Sequence, residues 1–196
     1  MKLEVNYITQ DTIQDDSWGE YVLFASNLSK ERREILSRKS MQILSEAALN
    51  SGHDSITVSS TIRYPIQQAN AMYNNLSNGN RIRYAAPGRA VTAVYDEGVE
   101  RNLNRETIIN NMVTKITQLA KEGKRVSLHC VPEEVYNKLN VVDISLNNLS
   151  AEKFIESLTK NEKVVRILHA ISSIKNTDIV QYLESEPCIH VEIDQL

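Results

Sequence analysis

The chain has 196 residues, of which 41% are hydrophobic and 24% are charged, and its formal net charge at pH 7 is -3. These values are typical of one globular domain that is large enough to bury a hydrophobic core without disulfides. Acidic and basic side chains are interspersed, which argues against a nucleic-acid-binding protein, because such proteins cluster lysine and arginine to neutralise phosphates. No apolar run approaches the roughly 20 residues of a membrane-spanning helix, so we expect no membrane span.

The first residues lack the apolar segment of a secretory signal peptide. We therefore expect a protein that is made in the cytoplasm and either stays there or leaves through cell lysis or a dedicated export system. Cys130 and Cys188 are far apart in the sequence and lie outside any cysteine-rich framework. This favours two free thiols over a disulfide.

Hydrophobic periodicity predicts a mixture of helices and short strands. In the first half of the chain, the predicted elements are a strand around Leu3 to Tyr7, a helix over Ser29–Asn50, a strand over Ile56–Ser60, a helix that starts at Pro65, and a long loop over 77–102 with a short strand at Val91–Tyr95. In the second half, they are a helix after Asn104 that ends at Gly123, strands over Val126–His129 and Val141–Ser145, a helix over Ser150–Leu158, a further helix over Val164–Ile174, and a strand over Cys188–Ile193. The pattern predicts an α+β fold with a small, mainly antiparallel sheet flanked by helices. We expect a single domain over residues 1–196, in which residues 1–28 could form an N-terminal extension.

Two histidines and one aspartate stand out on the predicted strands. His129 ends one strand, Asp143 lies in the next, and His190 lies in the last. Two imidazoles and a carboxylate are a ligand set of catalytic zinc sites, in which the fourth position is left to water. The metal brings the pKa of that water to about 7, and a neighbouring carboxylate can then take up the proton.

The other candidate residues have structural explanations. His53 follows a glycine in a predicted turn, and His169 lies in a predicted apolar helix, so we expect both to be hydrogen-bonded structural residues. Cys130 is next to His129, but neighbours on a strand point to opposite faces. No helix N-terminus is predicted there to lower the thiol pKa, so a cysteine nucleophile is not favoured.

Three segments form an ordered set. They are Ser60-Thr61-Ile62-Arg63-Tyr64-Pro65-Ile66-Gln67-Gln68, then Ser127-Leu128-His129 followed by Val141-Val142-Asp143-Ile144-Ser145, and finally Glu186-Pro187-Cys188-Ile189-His190-Val191-Glu192. In this order they resemble the blocks of the M15 family of zinc D-Ala-D-Ala peptidases. Two spacings depart from the family: His129 and Asp143 are farther apart than the family's pair, and Glu186 is one position farther from the last histidine.

The resemblance implies a zinc-dependent peptidase, either a carboxypeptidase or an endopeptidase, that acts on peptidoglycan peptides. It implies zinc ligands at His129, Asp143 and His190, a general base at Glu186 with Glu192 as the alternative, and substrate contacts from Arg63, Gln68 and Ser127. The loop from Tyr84 to Ala90 could line the other wall of the cleft. A non-catalytic zinc-containing module of the same fold, which binds peptidoglycan or a protein, is the alternative, because a fold does not guarantee activity.

Overall fold

A computed structural model describes residues 18–147 and 149–196 of the chain. Its elements are α1 (Trp18–Tyr21), β1 (Val22–Phe24), α2 (Lys30–Glu34), α3 (Arg38–Asn50), β2 (Ile56–Ser60), α4 (Pro65–Ser77), α5 (Ala86–Glu100), α6 (Arg105–Lys121), α7 (Glu133–Tyr136), β3 (Leu139–Ile144), α8 (Ala151–Leu158), β4 (Val164–His169), β5 (Val180–Tyr182) and β6 (Ile189–Asp194). The predicted α+β class is confirmed. The strand predicted near Leu3 lies outside the described residues.

The strands of the described residues form one sheet in the order β1-β2-β3-β6-β4-β5. The central pairs, β2 with β3, β3 with β6 and β6 with β4, are antiparallel. The two edge pairs, β1 with β2 and β4 with β5, are parallel, so the sheet is mixed and not mainly antiparallel as predicted. A parallel pair requires a crossover connection, which α2 and α3 provide between β1 and β2. The edge strands β1 and β5 have three residues each, too few for a strand pattern to show in the sequence.

One face of the sheet packs against α3 and α8 around the largest apolar cluster. The central strands contribute alternate residues to this cluster: Ile56 and Val58 from β2, Val142 and Ile144 from β3, and Ile189, Val191 and Ile193 from β6. Side chains alternate between the two faces of a strand, so Asp143 and His190 point to the opposite face. Val22 and Leu28 are buried in the same cluster, so this part of the segment considered as an extension belongs to the core.

Helices α4, α5 and α6 surround a second apolar cluster. Pro65 occupies the first turn of α4, as predicted from its fixed φ. Asn104 caps α6 as predicted, because its side chain accepts a hydrogen bond from the backbone N–H of Thr107 at 2.9 Å. Gly123 follows the end of α6 with a φ of 71°, a conformation that favours glycine.

The loop and short strand predicted within 77–102 are wrong, because α5 occupies most of this segment. Pro87 lies in the first turn of α5, where its missing N–H costs no helical hydrogen bond. Gly98 is a packing residue and not a turn residue: a Cβ at this position would lie 2.6 Å from Ile108 Cγ1. Gly98 therefore serves close helix packing, whereas Gly79, in the turn after α4, has a φ of 79° and is a turn residue as predicted.

Two further predictions of secondary structure are wrong. The segment Val126–His129 is not a strand but part of a loop, in which the backbone N–H of Cys130 donates to the carbonyl of Ser127 at 3.1 Å. The segment from Val164 is the strand β4 and not a helix, because it pairs with β6 on one side and β5 on the other. Tertiary pairing here overrides an apolar spacing that also fits a helix.

The long helix predicted over 29–50 is two helices. Ser37 interrupts it, because its side chain accepts a hydrogen bond from the backbone N–H of Ser40 at 3.0 Å and so caps α3. The predicted end at Ser51 and Gly52 is confirmed, and Gly52 has a φ of 80°. None of the helices in the described residues combines the length and the apolar composition needed to cross a membrane.

Candidate metal centre and its cleft

The two central strands bring Asp143 and His190 together. The register of the antiparallel pair β3 and β6 places these residues directly opposite each other, and both point away from the main core. His129 comes from the loop between α6 and α7. The backbone N–H of Arg63 donates to the carbonyl of His129 at 2.7 Å, and this contact fixes the loop against the segment that follows β2.

The three side chains converge on one point. His129 Nε2 and His190 Nδ1 each lie 3.0 Å from Asp143 Oδ1, and the two nitrogens are 3.4 Å apart. All three residues are buried. Tetrahedral zinc with bond lengths of 2.0–2.1 Å separates its ligand atoms by about 3.3 Å. The structure therefore brings the three predicted ligands to the spacing that one metal ion requires.

Polar contacts on the far side of each imidazole orient the ring toward this point: a hydrogen bond for His129 and a carboxylate contact for His190. His129 Nδ1 lies 2.8 Å from the carbonyl oxygen of Thr61. A carbonyl oxygen can only accept, so Nδ1 carries the proton and Nε2 presents its lone pair. His190 Nε2 faces Glu192 Oε1 at 3.4 Å, which leaves Nδ1 directed to the site. This support of the ligands by carbonyl and carboxylate groups is typical of metal centres, and the donor set fits a divalent metal ion.

Arg63 holds the other oxygen of Asp143. Its Nη2 lies 2.8 Å from Asp143 Oδ2, its Nε donates to Ser60 Oγ at 2.9 Å, and its Nη1 donates to Gln68 Oε1 at 3.4 Å. The sequence predicted Arg63 and Gln68 as substrate contacts, and both do line the cleft. Their contacts add a further role, because Gln68 steadies Arg63, and Arg63 fixes the rotation of the Asp143 carboxylate.

The charges in this cluster keep Asp143 ionised. Burial opposes ionisation of Asp143, but the two imidazoles and Arg63 outweigh it and hold the pKa of this carboxyl well below its usual range. Burial lowers the pKa of His129. Burial also disfavours a charged His190, but the carboxylates of Asp143 and Glu192 outweigh it and raise the pKa of His190 to about 9. The result is an ionised carboxylate at the centre of the three donors.

The candidate metal centre lies in a cleft of about 490 Å³ between α4 and the sheet. The lining includes Ser59, Ser60, Arg63, Gln68, Asn74, Asn75, Tyr84, Ser127, Leu168, Glu186, Cys188 and the three candidate ligands. Ser127, which the resemblance makes a substrate contact, lines the cleft, and its Oγ accepts a hydrogen bond from the backbone N–H of His129 at 3.2 Å. Tyr84, from the loop that was expected to form the other wall, also contacts the cleft.

The two candidate bases lie in different places. Glu186 lines the cleft, and one of its carboxylate oxygens, the Cys188 sulfur and an Asp143 oxygen lie within 4.8 Å of one another. Burial raises the pKa of Glu186 above the ordinary value for a glutamate. Glu192 is buried on the far side of His190, away from the residues that line the cleft. Of the two, Glu186 is therefore the carboxylate placed to meet a molecule in the cleft.

Asp143, Glu186 and Cys188 form a second group of potential ligands, because one donor atom from each lies within 4.8 Å of the others. The Cys188 thiol donates to Glu186 Oε1 at 3.2 Å. Burial and the neighbouring carboxylates raise the pKa of the Cys188 thiol far above its ordinary value, and a protonated thiol is a poor metal ligand. The group formed by the two imidazoles and Asp143 Oδ1 is therefore the better site for a metal ion.

The remaining histidines and Cys130 have structural surroundings. His53 Nε2 accepts a hydrogen bond from the backbone N–H of Ser150 at 2.7 Å, and His169 Nδ1 accepts one from the N–H of Ile171 at 3.1 Å. Both cysteines are free thiols, as predicted. Burial raises the pKa of Cys130 to about 11, which makes it a poor nucleophile.

Sequence reasoning missed two parts of the cleft. Asn75 lies on the side of α4 that also carries Gln68, and the seven-residue spacing of these two amides is a signal for a shared helix face. Leu168, which lines the cleft, comes from β4, which the sequence had assigned to a helix. The pairing of β4 with β6 places this strand beside the site.

Comparisons with protein-family models, curated proteins and solved structures give no match for this chain. The geometry of the cleft and the three short segments that resemble the M15 peptidases therefore carry the functional inference by themselves. A fold alone does not define a function, so the inference has to be drawn from the site.

Proposed function

We propose that the protein is a zinc-dependent peptidase that hydrolyses amide bonds in peptidoglycan peptides. One observation carries this proposal: three donor atoms of His129, Asp143 and His190 lie 3.0–3.4 Å apart, in a cleft that Glu186 also lines. An accessible cleft with a carboxylate beside the metal position is the arrangement of a hydrolytic centre.

The donor chemistry favours zinc. Two imidazole nitrogens and one carboxylate oxygen leave a fourth position open to water or substrate, as in catalytic zinc sites. Magnesium and calcium prefer shells made of oxygen ligands and are disfavoured by the two histidines. Zinc bound here would supply a Lewis acid that polarises the scissile carbonyl and favours ionisation of a water molecule near neutral pH.

The protein's own groups would carry out proton transfer and orientation. Glu186 takes a proton from the attacking water and passes it to the nitrogen of the leaving amine, so that the amide bond breaks to an acid and an amine. Its raised pKa suits this exchange, because a base works best when its pKa approaches the working pH. Arg63 donates one N–H each to Asp143, Ser60 and Gln68 and lines the cleft, so the remaining N–H groups of its guanidinium can donate to a substrate carbonyl.

The substrate class is proposed from two features. The resemblance to D-Ala-D-Ala peptidases suggests the peptides of the cell wall. The wall of the cleft formed by α4 carries the amides of Gln68, Asn74 and Asn75, and amides can both donate to and accept from the backbone of a peptide. These features support a peptide ligand in an extended polar cleft.

A non-catalytic zinc module is the second candidate. It is supported by Cys188, whose sulfur lies within 4.8 Å of an Asp143 carboxylate oxygen. If the thiolate of Cys188 occupied the fourth position, the site would be closed, and closed four-ligand sites are structural. Such a protein would bind zinc and a cell-wall or protein ligand without hydrolysing it.

Mass spectrometry of purified peptidoglycan fragments distinguishes the two candidates. The fragments are incubated with the zinc-loaded protein and, in parallel, with the Glu186→Gln variant. A peptidase yields pairs of fragments whose summed mass exceeds that of the parent peptide by one water, and the variant yields almost none. Stoichiometric zinc without new fragments would favour the module, and the absence of zinc binding would contradict both candidates.

A further inference from the structure

A row of polar side chains runs across three strands on the far side of His190. Glu192 on β6 is paired in register with Arg166 on β4. Arg166 Nη2 in turn donates to Gln181 Oε1 on the edge strand β5 at 3.1 Å. The row thus connects the candidate ligand His190 to the outer edge of the sheet.

The inner part of this row is buried and incompletely hydrogen-bonded. Glu192 is 6% exposed, and its Oε1 has no hydrogen-bond partner within the described part of the chain. This oxygen lies 3.4 Å from His190 Nε2 and 3.6 Å from Arg166 Nη1. A buried carboxylate is destabilising unless charged or hydrogen-bonding groups compensate it, so both neighbours are needed to keep Glu192 in place.

Arg166 is suited to hold Glu192 from the side away from the metal. Its guanidinium is permanently charged, and its rigid planar shape restricts the carboxylate to few orientations. Gln181 fixes the guanidinium in turn. Arg166 does not line the cleft, so it is not placed to contact a substrate there.

We propose that Arg166 is a positioning residue for the metal centre. By holding the Glu192 carboxylate against His190 Nε2, it keeps the imidazole turned so that Nδ1 faces Asp143 and the metal. Loss of Arg166 leaves Glu192 free to turn away and lets the His190 ring rotate. The inference rests on the proposed metal site and extends it to two strands outside the cleft.

Zinc affinity, measured by competition with a chromophoric chelator, tests this role independently of turnover. The Arg166→Gln variant is expected to bind zinc about tenfold more weakly, since removal of groups that support a ligand costs roughly 10- to 100-fold in affinity. The Arg166→Lys variant keeps the charge and is expected to retain most of the affinity. Arg101→Gln is the matched control, because Arg101 pairs with Glu97 on the exposed side of α5.

A double mutant separates this role from a general loss of structure. In the Glu192→Gln background, Arg166→Gln is expected to cause little further loss, because Arg166 acts through the Glu192 carboxylate. Circular dichroism of the zinc-depleted variants verifies that they are folded. Unchanged zinc affinity in Arg166→Gln would overturn this inference but not the proposed function. Losses of zinc affinity that add fully in the double mutant would have the same consequence. If the unmodified protein bound no zinc, the proposed function and this inference would fail together.

Discussion

At the scale of single residues, two glutamates and one arginine near the candidate metal centre make different contacts, which suggest a different role for each. Glu186 faces the cleft, Glu192 supports His190 from behind, and Arg63 holds Asp143. Each role depends on which atom the side chain contacts. Substitutions that remove one function of a side chain and keep its size therefore test the roles one at a time.

The clearest separation is expected between the two glutamates. Glu186→Gln should retain zinc and the fold but lose nearly all hydrolysis, because an amide cannot take the proton of the attacking water. Glu192→Gln should instead weaken zinc binding and keep measurable hydrolysis once zinc is in excess. Peptide release and zinc titration of both variants check this, and the reverse order of effects would assign the base to Glu192.

Arg63→Ala is expected to affect the metal centre before it affects substrate binding. The change leaves the buried Asp143 without its charged partner, 2.8 Å away, and should lower the free energy of unfolding by roughly 1–3 kcal/mol. Zinc affinity should fall as well, because Asp143 can then rotate. Urea denaturation and zinc titration measure the two effects. The control is Arg81→Ala, which breaks an exposed ion pair with Asp96 and should change neither quantity.

If Arg63→Ala retained full zinc affinity and lost only turnover, Arg63 would be a substrate-binding residue, as the sequence alone predicts. The contact with Asp143 would then be incidental to the metal.

At the scale of elements, the site depends on pairing between distant segments. The register of β3 and β6 sets Asp143 beside His190. The register of β6 and β4 sets Glu192 beside Arg166. The helices α4 to α6 then provide the opposite wall. We therefore expect that larger side chains at the points where these helices approach most closely will destabilise the fold.

Gly98→Ala tests this packing. A glycine-to-alanine change inside a helix is normally stabilising by about 0.4–1 kcal/mol. Here the new Cβ would lie 2.6 Å from Ile108 Cγ1, and overpacking of this kind costs about 1–3 kcal/mol. We expect the variant to be less stable in thermal or urea unfolding. Asn111→Ala, on the exposed side of α6, is the control and should have a small effect, and a stabilised Gly98→Ala would contradict the close packing of α5 on α6.

The sequence was sufficient for elements whose signals are local. The β-branched run at Ile56–Ser60 and the cap at Asn104 each identify a strand or a helix without further information. The prediction failed where packing decides. Gly88 and Gly98 were taken for turn residues although both lie in α5, where Gly88 leaves room for Tyr84 and Gly98 leaves room for Ile108. The apolar spacing from Val164 fits either a helix or a strand until β6 pairs with it.

In the candidate site, too, some features could be predicted from the sequence and others depend on the packing of the chain. His129, Asp143 and His190 could be selected by residue type and by their order along the chain, without correct assignment of every element. His129 lies in a loop and not on a strand, yet its side chain reaches the same point. The contact of Arg63 with Asp143 and the position of Arg166 depend on side-chain geometry and strand register, which the sequence does not display.

At the scale of the whole molecule, the metal would join segments that are far apart in the chain. The loop at His129, strand β3 and strand β6 meet at the candidate centre. An unfolded chain does not hold these three side chains together, so zinc should bind the folded state preferentially. Zinc is therefore expected to act as a stabilising ligand of the complete domain.

Thermal unfolding with and without zinc measures this linkage. At a free zinc concentration 100 times the dissociation constant, the expected stabilisation is about 2.7 kcal/mol. Glu186→Gln should keep this increment, because Glu186 is not one of the three ligands. Asp143→Asn should lose most of it, compared with its own zinc-free measurement. An equal zinc effect in Asp143→Asn would place the metal elsewhere.

The most direct test of the central claim is anomalous diffraction at the zinc edge from crystals of the zinc-loaded protein. The account predicts one strong peak within about 2.0–2.2 Å of His129 Nε2, Asp143 Oδ1 and His190 Nδ1, with Glu186 beside it and outside its ligand shell. A peak at Asp143, Glu186 and Cys188, or no ordered zinc in the cleft, would contradict it.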